Sequence, residues 1–382
     1  ADTRDFLNRR PDWPGEAYLR RQSEAAVIKQ GESEILDFFS AMAPQTPRGV
    51  LAHAEALINS GQRGEAEANL VLAWRTMPMN ASSQALFTEA HGSLLAPHHA
   101  ARLEEMLWQR EHSEARQMFD LVSSADKALA ETRIALQKLE SDVNAKIDAL
   151  PASKADAPGL AHDRFEWRIR KGLREDAKEL MLARSTSAAD LGQPPAWANR
   201  RRALARDEMS NGEARTAYRL ASQHFLTDGS NYADLEWLSG YIALRFLDDP
   251  TTALGHFQNH DNAVESPISQ GRAGYWQGRA LEAMGDAQGA AKAYAMGAEY
   301  QTSFYGLLAA ERGGIPFDEK LAGAAPEQDW RSSPLARAPL FEAGLLLQAS
   351  GELSTAERFW THLAEQLVPE DIALLGQAAI DV

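Results

Sequence analysis

The sequence predicts an all-α chain, a superhelix (solenoid) of stacked helix-turn-helix units of the 34-residue TPR-like kind. Three observations carry that expectation. The first is the stretch Tyr275-Trp276-Gln277-Gly278-Arg279-Ala280-Leu281-Glu282-Ala283-Met284-Gly285-Asp286 with Ala290, Tyr294 and Gly297 beyond it. It sets small and large apolar residues at helical spacing on both sides of a Gly-Asp break, as the packing of two antiparallel helices requires. The second is recurrence. Sliding the template until Gly278 falls on Gly344 brings Leu347, Gly351, Ala356 and Trp360 onto Leu281, Gly285, Ala290 and Tyr294. The third is the lack of any long β-branched or alternating run, so sheet content is expected to be negligible. Two helices per repeat give on the order of 20 helices, whose small angular offsets should curl the array into an arc or ring.

A chain of 382 residues is long for one ordinary core. A stacked array escapes that limit because each unit buries its face on its neighbours. Hydrophobic residues at 44% and charged residues at 24% are those of a globular chain, and no apolar run reaches the roughly 20 residues that cross a bilayer. The net charge of −15 opposes binding to nucleic acid. Basic runs at Arg9-Arg10, Arg20-Arg21 and Arg200-Arg201-Arg202 are read as solvated helix faces. With no cysteine, disulfides, thiolate metal sites and thiol nucleophiles are excluded. The composition suits cytoplasm and periplasm alike. The first residue is Ala1, with no Met or signal sequence ahead of it, which fits an exported protein after cleavage and equally a trimmed chain.

In order, residues 2–42 read as helical, with Trp13-Pro14 closing the first segment and Tyr18, Leu19, Ala26, Val27 and Ile28 forming a stripe up to Phe38-Phe39. Thr46-Pro47 reads as a helix cap followed by a first-turn proline. A repeat unit follows, with its turn at Gly61-Gln62-Arg63-Gly64, packing residues Ala66, Leu70 and Ala73, and a stop at Pro78. Between Ser82 and Asp120 short helices break at Leu94-Leu95-Ala96-Pro97. His91, His98 and His99 cluster around that turn without a nearby ordered set of carboxylates, the pattern of surface or capping histidines, so no metal is assigned. No cofactor is implied.

Ser124 to Leu150 gives the longest uninterrupted helical pattern, with Leu129, Leu136, Leu139, Val143, Ile147 and Leu150 on one side. Residues 151–159, rich in proline and alanine, are the most linker-like stretch. They divide an N-terminal array (1–150) from a C-terminal one (160–382). Further on, Arg164 to Ala183 forms a pair about Gly172, Gln193-Pro194-Pro195 leads to a helix ending at Asn211-Gly212, and Trp237, Gly240 and Tyr241 open the next unit. Asp248-Asp249 before Pro250 are capping residues rather than a catalytic pair, with Ala253 and Phe257 in the packing slots.

Laid out this way, three blocks resemble the N-terminal part of bacterial soluble lytic murein transglycosylases in order and spacing. They are Arg245-Phe246-Leu247-Asp248-Asp249-Pro250, Ser266-Pro267-Ile268-Ser269 through Ala280, and Thr302-Ser303-Phe304-Tyr305-Gly306 through Glu311. Pro11-Asp12-Trp13-Pro14 and Leu103-Glu104-Glu105-Met106-Leu107-Trp108 are similar to earlier parts of the same family. The resemblance spans nearly the whole chain. It implies a periplasmic enzyme in which an α-superhelix carries a lysozyme-like C-terminal domain. There one glutamate, acting as acid and then base, cleaves the glycan and leaves a 1,6-anhydro-muramyl end. That glutamate belongs to a Glu-Ser pair followed by a Gly-Leu-Met-Gln-like segment, which this sequence lacks. Its own pairs, Glu32-Ser33, Glu140-Ser141 and Glu265-Ser266, sit in helical or turn contexts and are rejected. No catalytic residue is assigned, Val382 falls about where the family enters its linker, and the chain is expected to be inactive alone.

The partners this resemblance implies are peptidoglycan glycan strands, the family's own catalytic domain and further proteins. Trp74, Trp108, Trp237, Trp276 and Trp360 fall at packing positions and are assigned to the interhelix core. Trp13, Trp197 and Trp330, beside prolines or in loops, remain as candidate glycan or partner contacts, although covering a helix end explains each of them too. The rival reading is a non-enzymatic helical-repeat scaffold that binds a protein or peptide.

Overall fold

A computed structural model of the chain describes residues 2–322, 326 and 328–382, and among these it is helical with no strand. The fold is an all-α superhelix of stacked helix pairs. The chain groups into two compact units, one formed by Ala1–His98 with Gly323–Val382 and the other by His99–Ala322.

The first unit begins with α1 (Asp2–Arg9), α2 (Glu16–Val27), α3 (Glu32–Ser40), α4 (Pro47–Asn59), α5 (Arg63–Thr76) and α6 (Ala81–Leu95). The second holds α7 (His99–Trp108), α8 (His112–Gln117), α9 (Ser124–Gln137), α10 (Val143–Asp148), α11 (Pro158–Arg170), α12 (Arg174–Arg184) and α13 (Ala188–Leu191). It continues with α14 (Pro194–Ser210), α15 (Ala214–Ser222), α16 (Gly229–Phe246), α17 (Pro250–Asn262), α18 (Pro267–Ala283), α19 (Ala287–Ala298) and α20 (Phe304–Gly313). The first unit is completed by α21 (Pro339–Ala349), α22 (Leu353–Ala364) and α23 (Pro369–Asp381). Within it the two ends of the chain meet. Trp13 lies edge-on between Phe6 and Phe359, each ring 5.3 Å away, and His362 Nε2 donates to the Asp12 carbonyl at 2.6 Å.

One turn is used over and over. After α4, α11, α14, α18 and α21 a glycine with positive φ (Gly61, Gly172, Gly212, Gly285, Gly351) ends the first helix of a pair. The next amide bonds five residues back, as Asp286 N to Leu281 O and Glu352 N to Leu347 O do, which satisfies carbonyls the helix end leaves open. Arg110 and Leu139 make the same turn without glycine, and Asp248 makes one whose following amide reaches Ala243. Five positions after the turn residue stands a buried alanine: Ala66, Ala115, Ala177, Ala217, Ala253, Ala290 or Ala356. The smallest side chain there lets the second helix lie close against the first, and the large residue a turn later fills what remains. Where that residue is Phe257, Tyr294 or Trp360, a glycine faces it from the first helix. A Cβ on Gly240 would stand 2.6 Å from Phe257, and one on Gly278 2.6 Å from Tyr294 Cδ1. Gly344 faces Trp360 in the same way.

Several expectations hold in detail. Thr46 caps α4 through Gly49 N at 3.1 Å with Pro47 next, and Asp249 caps α17 through Thr252 N at 3.0 Å. Others are corrected. The 124–150 pattern is not one helix: it folds back at Leu139 into α9 and α10, so Leu129, Leu136 and Val143 meet in one core with Leu160. The boundary expected at 151–159 does not coincide with the division into units, for these residues lie inside the second. Lys154 pairs with Asp126 at 2.5 Å, Arg184 pairs with Asp156, and the buried Arg133–Asp163 pair ties α9 to α11 across them. Tyr18, placed in an apolar stripe, is 70% exposed. Two of the arginines read as solvated are buried. Arg20 bonds Glu16 and the Phe38 carbonyl, and Arg201 donates to Leu220 O and Ser185 Oγ, burial lowering its pKa to about 10.

Candidate functional site

Along the second unit, the first helices of successive pairs bring one aromatic face together. On α16, Asp234, Trp237 and Tyr241 follow one another at steps of three and four, so they share a side of the helix. The rings of Trp237 and Tyr241 stack at 5.4 Å and 23°. Tyr241 meets Trp276 of α18 edge-on at 5.0 Å, and Trp276 reaches Tyr305 of α20 at 6.2 Å. Trp276 is buried beneath, whereas Trp237, Tyr241 and Tyr305 stay half-exposed, and Phe246 and Phe304 extend the surface outward.

The polar frame of this strip is built on the same helices. Arg272 lies over the Trp237 ring with its guanidinium carbon 4.9 Å from the centroid, a cation–π contact. Asp234 is shared between Arg272, at 3.4 Å, and Arg202 of α14. Behind Arg272 sits His260, fully buried, whose Nδ1 bonds the Ala233 carbonyl at 2.8 Å. Since a carbonyl only accepts, Nδ1 carries the proton and Nε2 is left to accept from Arg272 Nε at 3.4 Å. Burial first, and the Arg272 charge second, lower the His260 pKa, so the ring is held neutral.

Glu236, on the opposite side of α16, fixes the helix that carries the strip. Its carboxylate accepts from His224 Nε2 at 3.0 Å, His256 Nδ1 at 2.7 Å and Asn259 Nδ2 at 3.1 Å. Burial alone would raise its pKa, but these bonds and the nearby His256 bring it down to about 2. His256 passes the network on to the Tyr218 hydroxyl at 3.0 Å. The arrangement offers half-exposed aromatic rings, with guanidinium donors and a carboxylate acceptor at its edge. Tied between two arginines, the Asp234 carboxylate accepts their hydrogen bonds. Among the described residues there is no group of three His, Cys, Asp or Glu suited to a metal ion.

The residues singled out from sequence lie elsewhere. Trp197 is fully buried against His162 and Phe165 and donates its indole N–H to Leu191 O at 3.0 Å, closing the end of α13. Trp330 is 7% exposed, packs on Phe341 and donates to Asp381 at 2.9 Å. Neither leaves an open face for a sugar, so both are corrected to helix-end covers. Trp13, half-buried between Phe6 and Phe359, joins the two ends of the chain. Trp74 and Trp276 are core as expected, while Trp237, assigned to the core, is half-open. The rejected Glu-Ser pairs have structural work. Glu32 accepts from Asn59, Glu140 pairs with Lys146, and Ser266 caps α18 through Ser269 N.

Fold and strip together define a helical superhelix that presents an aromatic surface from the first helices of its pairs. That fold occurs in solved lytic transglycosylases. All of the chain matches 60% of an inactive mutant of the lytic transglycosylase Slt from Pseudomonas aeruginosa, with a TM-score of 0.60 and 17% identity. It matches 60% of the 70 kDa soluble lytic transglycosylase from Escherichia coli with a TM-score of 0.51 and 16% identity. The chain thus spans less than two thirds of the length of either structure. No protein-family model and no curated protein matches the sequence.

Proposed function

We propose that these residues form the superhelical scaffold of a soluble lytic transglycosylase acting in peptidoglycan cleavage and cell-wall turnover in the periplasm of a Gram-negative bacterium. The chain holds glycan strands and seats a lysozyme-like catalytic module, which performs the non-hydrolytic cleavage to 1,6-anhydro-muramyl ends. The observation that carries this reading is the match of the whole chain to the P. aeruginosa lytic transglycosylase. The Ser266-Pro267-Ile268-Ser269 and Thr302-Ser303-Phe304-Tyr305-Gly306 blocks support it, since they build α18 and α20 beneath the strip.

The strip suits the scaffold's share of the work. Half-open Trp237 and Tyr241 match the apolar faces of pyranose rings, and Arg272 and Asp234 supply a donor and an acceptor for hydroxyl and acetamido groups. Co-sedimentation with purified sacculi tests the reading. The chain is expected to pellet with sacculi and to leave them intact. Failure to pellet, with stoichiometric capture of one defined protein instead, overturns it in favour of a protein-binding repeat scaffold.

A further inference from the structure

Two carboxylates beside the aromatic strip are each shared by two arginines. Asp234 lies between Arg202 and Arg272. Glu282 of α18 lies between Arg279, whose Nε is 3.5 Å away, and Arg312 of α20, which meets it with Nε at 3.1 Å and Nη2 at 2.9 Å. Among the described residues no other carboxylate pairs with any of these four arginines. Each cluster therefore sets two positive charges against one negative. In a chain whose net charge is −15, that reverses the general balance. The buried carboxylates behind these helices are engaged elsewhere, Glu236 by His224 and His256, and Asp261 by Gln277 Nε2 at 3.0 Å.

The surplus charge sits against the rings. Arg272, Trp276 and Arg279 follow one another at steps of four and three, so they share one side of α18 with the tryptophan between the two cations. Arg272 lies over Trp237, and Arg279 lies over Tyr275 with its guanidinium carbon 5.8 Å from the centroid. Each of the two side chains is 22% exposed, partly desolvated yet open to a ligand. Arg279 Nη1 donates to the Tyr275 hydroxyl at 3.0 Å, while Arg272 Nη1 and Arg279 Nη2 make no bond to the protein. A donor of that kind favours an anionic acceptor, because a charge-assisted hydrogen bond is roughly twice as strong as a neutral one. Since both cations lie on the rings, the fitting anion is borne close to the sugar and not at the end of a long attachment.

We propose that Arg272 and Arg279 make the strip selective for glycan whose sugars carry free carboxylates, as murein strands do where the stem peptide has been removed. The inference rests on the strip being the glycan-binding surface and adds the charge it reads. Titration calorimetry of the full chain at low salt tests it with two probes, peptide-free murein strands and the same strands with their carboxylates converted to amides. The native chain is expected to bind the carboxylate strands at least about tenfold more tightly than the amidated ones, with a preference that shrinks as salt rises. An Arg272→Gln/Arg279→Gln variant should lose that preference while its affinity for the amidated strands stays unchanged. Equal affinity of the native chain for the two probes overturns this inference and leaves the binding surface standing, whereas no binding of either overturns both. A preference that survives in the glutamine variant also overturns it. So does an equal loss of both probes there, because the arginines would then only hold the rings in place.

Discussion

Gly274 of α18 lies against the backbone of Gly297 in α19, so that a Cβ on Gly274 would stand 2.5 Å from Gly297 Cα. Two helices meet there with no side chain between them, one step from the slot where Gly278 receives the ring of Tyr294. Gly271 completes the row, facing Ser303 and Gly306 at the start of α20. The glycine-rich motif of this stretch is therefore a device for packing three helices closely beneath the aromatic strip.

That contact sets a graded expectation. Gly274→Ala pushes against backbone and must separate α18 from α19, with a loss of about 1–3 kcal/mol, whereas Gly278→Ala meets only the Tyr294 side chain, which can shift, and costs less. Urea unfolding compares the two variants. Equal, negligible losses would show that the helices are not in the close register described.

The Glu236 network makes stability depend on pH with a definite sign. Its folded pKa, about 2, lies below the ordinary value of about 4.3. A depressed carboxylate stabilises the fold fully above its unfolded pKa, and the contribution fades as pH falls from about 4.5 towards 2, by about 3 kcal/mol at most. Unfolding at pH 3 and pH 5.5 should separate the native chain from Glu236→Gln, the native chain losing more stability over that interval. Parallel losses in both would remove Glu236 as the source.

Trp197→Phe is expected to leave binding to sacculi unchanged while lowering stability by about 1 kcal/mol, because the Leu191 carbonyl loses one of its two donors and keeps Gln193 N. Sedimentation and a melting curve on the same preparation read both effects. Weaker binding with unaltered stability would restore Trp197 as a contact residue.

Trp13→Ala removes two edge-to-face pairs, one to α1 and one to α22, worth about 0.5–1.5 kcal/mol each beyond the area lost. Hydrogen exchange should quicken in α22 as well as in α1 and α2. Faster exchange confined to the N-terminal helices would contradict the junction of the two chain ends.

Much of this architecture was legible because the repeat spends recognisable residues on it. Glycine marks the left-handed turn at Gly61, Gly172, Gly212, Gly285 and Gly351, and alanine follows five positions later where two helices touch. The turn at Leu139 is not legible because a non-glycine residue adopts the same backbone and the leucine stripe runs on across it. Buried Arg20 and Arg201 were invisible for a related reason: an arginine inside a helix reads as surface until a carbonyl from another helix is placed beside it. The aromatic strip was half legible. Helical periodicity correctly made Trp74 and Trp276 core, but whether Trp237 faces the next pair or open space is decided by how neighbouring pairs stack, which no local pattern encodes.

In the proposed function, Trp237 and Tyr241 hold a glycan strand on the scaffold. Titration calorimetry with peptide-free murein glycan strands measures it most directly, on the native chain and on the Trp237→Ala/Tyr241→Ala variant. Saturable binding by the native chain, weakened at least about tenfold in the variant with its helical content retained, is the predicted result. Equal affinities, or no binding by the native chain, would contradict it.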